Sequence, residues 1–188
     1  MAAPDDDAAP ATGGTVWLTG LPSAGKTTIA QALSHLLLAE RGLRAYLLDG
    51  DDLREGLNAD LGFEEDDRDE NVRRLGEVAI LLARLGHLAV VSAISPYAKS
   101  RRVVRERHDT LGVRFVEVYV STPLEVCEAR DAKGLYVKAR RGELPLFTGI
   151  SAPYEAPESP ELSLANAGSP EEAAREVLTA ISDAGLVV

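Results

Sequence analysis

A strand-forming run, Val16-Trp17-Leu18-Thr19, leads into Gly20-Leu21-Pro22-Ser23-Ala24-Gly25-Lys26-Thr27, and an amphipathic stretch continues to Arg41. The eight-residue segment fits the pattern G-x-x-x-x-G-K-[ST] in the strand-before, helix-after setting that such a loop requires. Its glycines let successive backbone N–H groups turn inward around an anion, and the start of the following helix adds positive potential. Lys26 is placed to neutralise the β and γ oxygens of a nucleoside triphosphate, and Thr27 to offer its hydroxyl to Mg²⁺. Thr28 is counted with the loop, although packing is its simpler role. A chain built around this loop is constrained to an α/β fold in which ligands gather beyond the carboxyl ends of parallel strands.

The rest of the chain alternates in the same manner. Ala45-Tyr46-Leu47-Leu48, Leu88-Ala89-Val90-Val91 and Phe115-Val116-Glu117-Val118-Tyr119-Val120 read as further strands, the last near a sheet edge. Residues 27–41, 70–85 and 99–110 carry helical spacing, and Gly42 and Gly86 stand where helix C-caps belong. The order β-α-β-α predicts a P-loop NTPase-type parallel sheet with helices on both faces. Residues 1–14 lack periodicity and read as a disordered leader, leaving 15–188 as one P-loop domain with its lid at about 131–160. Residues 131–160 are rich in Gly, Pro and basic side chains without a clear hydrophobic period, and are read as a lid; an ordinary surface loop is the competing reading. Ser169-Pro170-Glu171-Glu172 predicts an N-cap and first turn for a structural helix reaching about Ala184.

Charge and composition exclude several partners. Thirty acids against twenty bases give a net charge of -10, which disfavours nucleic acid because phosphate backbones need clustered Lys and Arg. The single cysteine, Cys127, forms no intramolecular disulfide. With no signal-peptide order at Met1-Ala2-Ala3-Pro4 and no apolar run near the ~20 residues that span a bilayer, the expectation is a cytoplasmic protein without a membrane partner.

Leu48-Asp49-Gly50-Asp51-Asp52-Leu53-Arg54 follows the second strand, so its carboxylates emerge at the same sheet edge as the loop. A hydroxyl attacking a γ-phosphoryl group needs a nearby carboxylate to accept its proton or to hold the metal, and Asp49 or Asp51 can supply either, with Asp51 the better base. An acidic helix start is the plainer alternative. No Asn-Lys-x-Asp guanine motif is present, and the third strand ends Val91-Ser92-Ala93-Ile94 without the customary acid, so the metal-handling acid must come from elsewhere. That pattern disfavours a GTPase switch and suits a small-molecule kinase. Arg54 is placed to hold an anionic substrate. Glu64 to Asp69 read as a solvated helix start; on and just before the next helix Arg68 and Asn71, three apart, share a face fit to grip an anion, while Arg73 and Arg74 read as surface pairs.

These residues resemble the adenylyl-sulfate kinase family, which phosphorylates the 3′-hydroxyl of adenosine 5′-phosphosulfate. The resemblance rests on Leu48 to Asp51, Leu61-Gly62-Phe63, Glu70-Asn71-Val72-Arg73-Arg74, Ile94-Ser95-Pro96-Tyr97, Arg130 to Tyr136, and Phe147-Thr148-Gly149-Ile150 with Pro153-Tyr154-Glu155-Ala156-Pro157. It implies ATP and Mg²⁺ as donor and cofactor, with Thr27 and Asp49 toward the metal. It also implies a phosphosulfate-nucleotide site of Asp51, Arg54, Phe63, Arg68, Asn71, Ile94, Ser95, Lys133 and Phe147. Phe63 and Phe147 can stack on either side of an adenine, while Arg54, Arg68 and Lys133 offset the anion. Lys26 and Asp51 are the implied catalytic groups. Ser95, treated in the family as an active-site serine and sometimes as a phosphoserine intermediate, is read here as a substrate ligand, since a 3′-hydroxyl can attack ATP in line. Arg130 resembles the residue that covers the adenine of ATP. The resemblance further suggests a homodimer and a functional partnership with ATP sulfurylase.

Three positions depart from the family pattern: Pro22-Ser23 replaces the commoner Ser-Gly, Asp52 replaces Asn, and Leu146 replaces Gly before Phe147. Asp52 adds charge near an anionic substrate and is the sequence support for a different acceptor, such as a cytidine diphosphoramidate. A non-catalytic nucleotide-binding partner of a sulfurylase is the alternative from another class.

Overall fold

The computed structural model describes residues 13–165 and 168–187. The expected leader therefore lies outside the described residues as far as residue 12, and its last residue belongs to a strand. The elements run β1 (Gly14–Thr19), α1 (Lys26–Arg41), β2 (Ala45–Asp49), α2 (Gly50–Leu53), α3 (Glu65–Arg84), β3 (Leu88–Ser92), α4 (Ala98–Thr110), β4 (Arg114–Val120), α5 (Leu124–Arg130), α6 (Leu135–Arg140), β5 (Leu162–Leu164) and α7 (Pro170–Asp183). The sheet has the order β2-β3-β1-β4-β5 with every neighbouring pair parallel, so β4 lies one strand in from the edge.

Alternation along β1 divides the core. Val16 and Leu18 face a cluster built with Ile29, Leu33 and Leu37 of α1 and Val177 and Ile181 of α7. Trp17 faces the other side, among Val72, Leu75 and Ala79 of α3 and Val104 of α4. Two helix layers thus cover two apolar sheet faces, as period-2 strands demand. The register sets the functional edge: Leu18 of β1 and Asp49 of β2 both pair with Ser92 of β3, so three strand ends finish side by side.

Helix α3 starts at Glu65, within the acidic run read as a helix start and five residues before the helical spacing at Glu70, and Glu65, Asp66 and Asp67 in its first turn complement the helix dipole. Helix α7 has the expected cap in full: Ser169 Oγ accepts from Glu172 N–H, and Glu172 returns a bond to Ser169 N–H. The 131–160 segment is not wholly irregular, since it contains α6, whose Tyr136 and Ala139 are buried.

His108 on α4 is fully buried. Its Nδ1 lies 2.8 Å from the Val104 carbonyl and must donate there, so Nε2 accepts the Thr15 hydroxyl at 2.9 Å. Burial is the main cause that pushes its pKa below the ordinary histidine value. The unfolded chain therefore binds a proton near pH 6.5 that the native state refuses, and stability falls as pH drops below that value, by at most about 1.4 kcal/mol per unit until the native pKa is reached. Denaturant midpoints at pH 7.5, 6.5 and 5.5 check this: His108→Gln is expected to flatten the slope, and an unchanged slope would assign it to other groups.

Candidate active site

The loop after β1 takes the shape its sequence requires. Gly20 has φ 151°, and a Cβ there would stand 2.5 Å from the Val120 carbonyl oxygen, so only glycine fits. Gly25 caps α1 in the left-handed region. Lys26 folds back over the loop and donates to the carbonyls of Gly20 at 2.9 Å and Leu21 at 2.8 Å. Burial lowers its pKa to about 8, an effect that Asp51 and Asp49 partly oppose. Thr28, expected to pack, is exposed and lines the cleft instead.

An acidic corner follows from the strand register. Thr27 Oγ1 donates to Asp49 Oδ2 at 2.7 Å and lies 3.0 Å from Ser92 Oγ. Ser92 occupies the strand end where an acid is customary, and Asp49 from the adjacent strand supplies the carboxylate. The other Asp49 oxygen accepts the Asp51 N–H at 2.9 Å and caps α2, which fixes the turn that carries Asp51. Asp51 Oδ2 receives Lys133 Nζ at 2.7 Å across the cleft mouth. Both side chains of that pair are exposed, so its worth to stability is at most about 1 kcal/mol.

The same cleft, about 650 Å³ in volume, takes in Arg54, Phe63, Arg68, Asn71, Ile94, Ser95, Lys133 and Phe147 opposite the loop, and Arg130 on the donor side. Arg54 and Arg68 lie over the Phe63 ring at 4.5 and 5.6 Å. Burial lowers the pKa of both guanidinium groups, a desolvation that an anionic ligand would offset. Phe147 meets Tyr136 edge-on at 5.0 Å, and the Tyr136 hydroxyl donates to the Pro22 carbonyl, so the 131–160 segment is tied to the donor loop. Arg73 and Arg74 make the expected pairs, to Glu70 and to Glu70 and Asp60. Of the expected ATP-loop residues, Gly20, Leu21 and Ala24 shape the backbone without lining the cleft.

The Ser95 hydroxyl is engaged inside the protein. The residue is 3% exposed and lines the cleft, and its Oγ accepts the Trp17 indole N–H at 2.9 Å and donates to the Ala93 carbonyl at 3.3 Å. Its φ is 43°, and its carbonyl is bonded by Arg101, which sequence reasoning missed. Buried Arg101 donates to the Ser95 carbonyl at 2.6 Å, the Glu155 carbonyl at 2.7 Å and Glu117 Oε1 at 2.9 Å. One cation thus sews the Ile94-Ser95-Pro96 strap to the Tyr154-Glu155 segment. The N-terminal end of α7 was also missed: Gly168 and Pro170 form part of the cleft wall.

Two of the three departures acquire a physical meaning. Ser23 and Leu146, the positions where glycine is commoner, both adopt φ 59°. Left-handed backbone costs a non-glycine residue about 1–2 kcal/mol, whereas glycine loses about 0.5–1 kcal/mol of unfolded-state entropy. Ser23→Gly is therefore expected to raise stability by about 0.5–1 kcal/mol, read as a higher midpoint in denaturant; a lower midpoint would mean that the serine hydroxyl makes a compensating bond. Asp52 is exposed and lies outside the cleft wall.

A parallel sheet of this order, a phosphate-cradling loop after its first strand and a second, cationic and aromatic half-site define a P-loop phosphotransferase. The adenylylsulphate kinase family model matches residues 12–165, and the chain belongs to that family. It is 53% identical over 169 residues to the bifunctional enzyme CysN/CysC of Mycobacterium tuberculosis, covering 90% of this chain but only 27% of that longer protein. It is 57% identical over 152 residues to the adenylyl-sulfate kinase of Saccharomyces cerevisiae, covering 81% of this chain and 75% of that one. The solved structure of the M. tuberculosis APS kinase CysC in complex with AMPPNP and APS superposes with a TM-score of 0.88 at 52% identity, over 91% of this chain and 98% of that one.

Proposed function

We propose that this chain is an ATP-dependent adenylyl-sulfate kinase that transfers the γ-phosphoryl group of ATP to the 3′-hydroxyl of adenosine 5′-phosphosulfate, giving 3′-phosphoadenosine 5′-phosphosulfate and ADP. The observation that carries this reading is a single cleft with a triphosphate loop on one wall and two arginines, two aromatic rings and an asparagine on the other. The complex of the M. tuberculosis relative with AMPPNP and APS supports the same pair of ligands.

The residues divide the work. The 20–27 loop and Lys26 hold the triphosphate, and Arg130 lies against the donor base. Phe63 and Phe147 bracket the acceptor adenine, while Arg54, Arg68 and Lys133 balance its phosphosulfate. Asp51 takes the 3′-hydroxyl proton as that oxygen bonds to the γ-phosphorus and the bond to the β-bridging oxygen breaks. Ser95 takes part through its backbone, and no phosphoserine is formed. Mg²⁺ fits the donor set here, because the Thr27 hydroxyl and Asp49 carboxylate are hard oxygen ligands held 2.7 Å apart beside the loop. When bound, it neutralises charge on the β and γ oxygens.

A homodimer in the cytoplasm and supply of the acceptor by an ATP sulfurylase belong to the same reading. No described helix is long and apolar enough to cross a membrane. The position of Asp52 outside the cleft removes geometric support for a cytidine-type acceptor. The test mixes the chain with Mg-ATP and either adenosine 5′-phosphosulfate or a cytidine diphosphate-type acceptor. ADP release with the first alone is expected; release with the second alone would reassign the acceptor, and tight ATP binding without turnover on either would make the chain a binding module.

A further inference from the structure

The connection between α2 and α3 carries Arg54 and Phe63 to the cleft, and Asn58 sits in its middle. An asparagine in Leu57-Asn58-Ala59-Asp60 reads as an ordinary turn residue. Its side chain does something else: Asn58 is wholly buried, and its Nδ2 donates to Oδ1 of Asn71 on α3 at 2.9 Å. Among the described residues the Asn58 oxygen has no hydrogen-bond partner. A buried carbonyl oxygen without a partner is costly, so the amide is not there to stabilise the turn. The turn is anchored by other bonds: Arg74 grips Asp60 at 2.6 and 2.9 Å, and Arg54 reaches the carbonyls of Leu61 and Gly62.

Asn71 is 8% exposed and lines the same cleft as Arg68 and Ser95. Because Asn58 occupies its oxygen, its two N–H protons are the groups left for the cleft. We propose that Asn58 is a positioning residue for the acceptor nucleotide, fixing the Asn71 amide so that it presents donors and not its oxygen. A free amide would turn between the two orientations, and the wrong one would set an oxygen against the electron-rich atoms of an anionic nucleotide. The inference rests on the proposed function only for the identity of that nucleotide.

Asn58→Leu removes the donor together with the unpartnered oxygen while keeping the branched shape of the side chain. It is expected to raise the acceptor KM about tenfold, leave the KM for ATP within about twofold, and keep the thermal midpoint within a few degrees. In an Asn71→Ala background the same substitution is expected to add nothing, since Asn58 acts through Asn71. Asn58→Ser, too short to reach Asn71, carries the same expectation should the leucine variant not fold. An unchanged acceptor KM, an equal rise in both KM values, full additivity with Asn71→Ala, or failure of both variants to fold would overturn the proposal. The Asn71 side-chain amide signals in a ¹⁵N spectrum read the contact without substrate: they are expected to move in Asn58→Leu more than the amides of neighbouring residues, and signals that stay in place would overturn it. Absence of wild-type turnover would instead strike only the proposed function.

Discussion

Asp51→Asn is expected to lower kcat about a thousandfold while leaving the dissociation constant for ATP within a few-fold of wild type. The amide keeps the shape and the backbone bond to Asp49 Oδ1, but has no basic oxygen to take the 3′-hydroxyl proton. Positioned general bases contribute roughly 10²–10⁴ in rate. Asp51 and Asp49 lie on one turn, and the comparison between them is informative: Asp49, bonded to Thr27 at 2.7 Å, is the proposed metal ligand, so Asp49→Asn should weaken Mg-ATP binding as well as turnover. Titration calorimetry with Mg-ATP beside steady-state kinetics separates the two. Parallel loss of ATP binding in Asp51→Asn would move Asp51 to the metal and leave the base unassigned.

Arg101→Met is expected to cost about 3–5 kcal/mol of stability, the usual result of removing one partner from a buried ion pair. Arg101 is 3% exposed and Glu117 is 7% exposed, so the substitution leaves a buried carboxylate and orphans the Ser95 and Glu155 carbonyls. Arg105, 3.3 Å from Glu117, retains part of the compensation and places the loss at the lower end. For a domain of this size the thermal midpoint falls by roughly 6–12 °C. Arg101→Met combined with Glu117→Gln should recover part of the loss, because no unpaired charge remains. A loss below about 1 kcal/mol for the single variant would mean that water reaches Glu117 and the network is not sealed.

Sequence was most informative where backbone geometry dictates residue type. The 20–27 loop, the αL glycine after α1 and the Ser169 cap all follow from local chemistry, and the structure has each of them. The missing acid at Ser92 pointed to Asp49 and Asp51 together, and it is the fold that brings Asp49 to the Thr27 hydroxyl. What escaped has physical causes. A three-residue strand such as β5 lacks the length for alternation, and α6 shows only two buried positions in six residues. Buried cations run against the rule that arginines are exposed, which concealed Arg101. Contacts between residues distant in sequence concealed the Trp17–Ser95 bond, 78 positions apart, and with it the orientation of the serine. The Asn58–Asn71 bond, spanning 13 residues, lies in a turn whose sequence signals only a turn.

The most direct measurement of the central claim follows the phosphoryl group itself. The chain is incubated with Mg²⁺, γ-³²P ATP and adenosine 5′-phosphosulfate, and both nucleotide products and protein are analysed for label. The account predicts label on the 3′-oxygen of the acceptor, one ADP released per acceptor phosphorylated, and none on protein at any time. Label on Ser95 that chases into nucleotide, or ATP consumption with the acceptor unmodified, would contradict it.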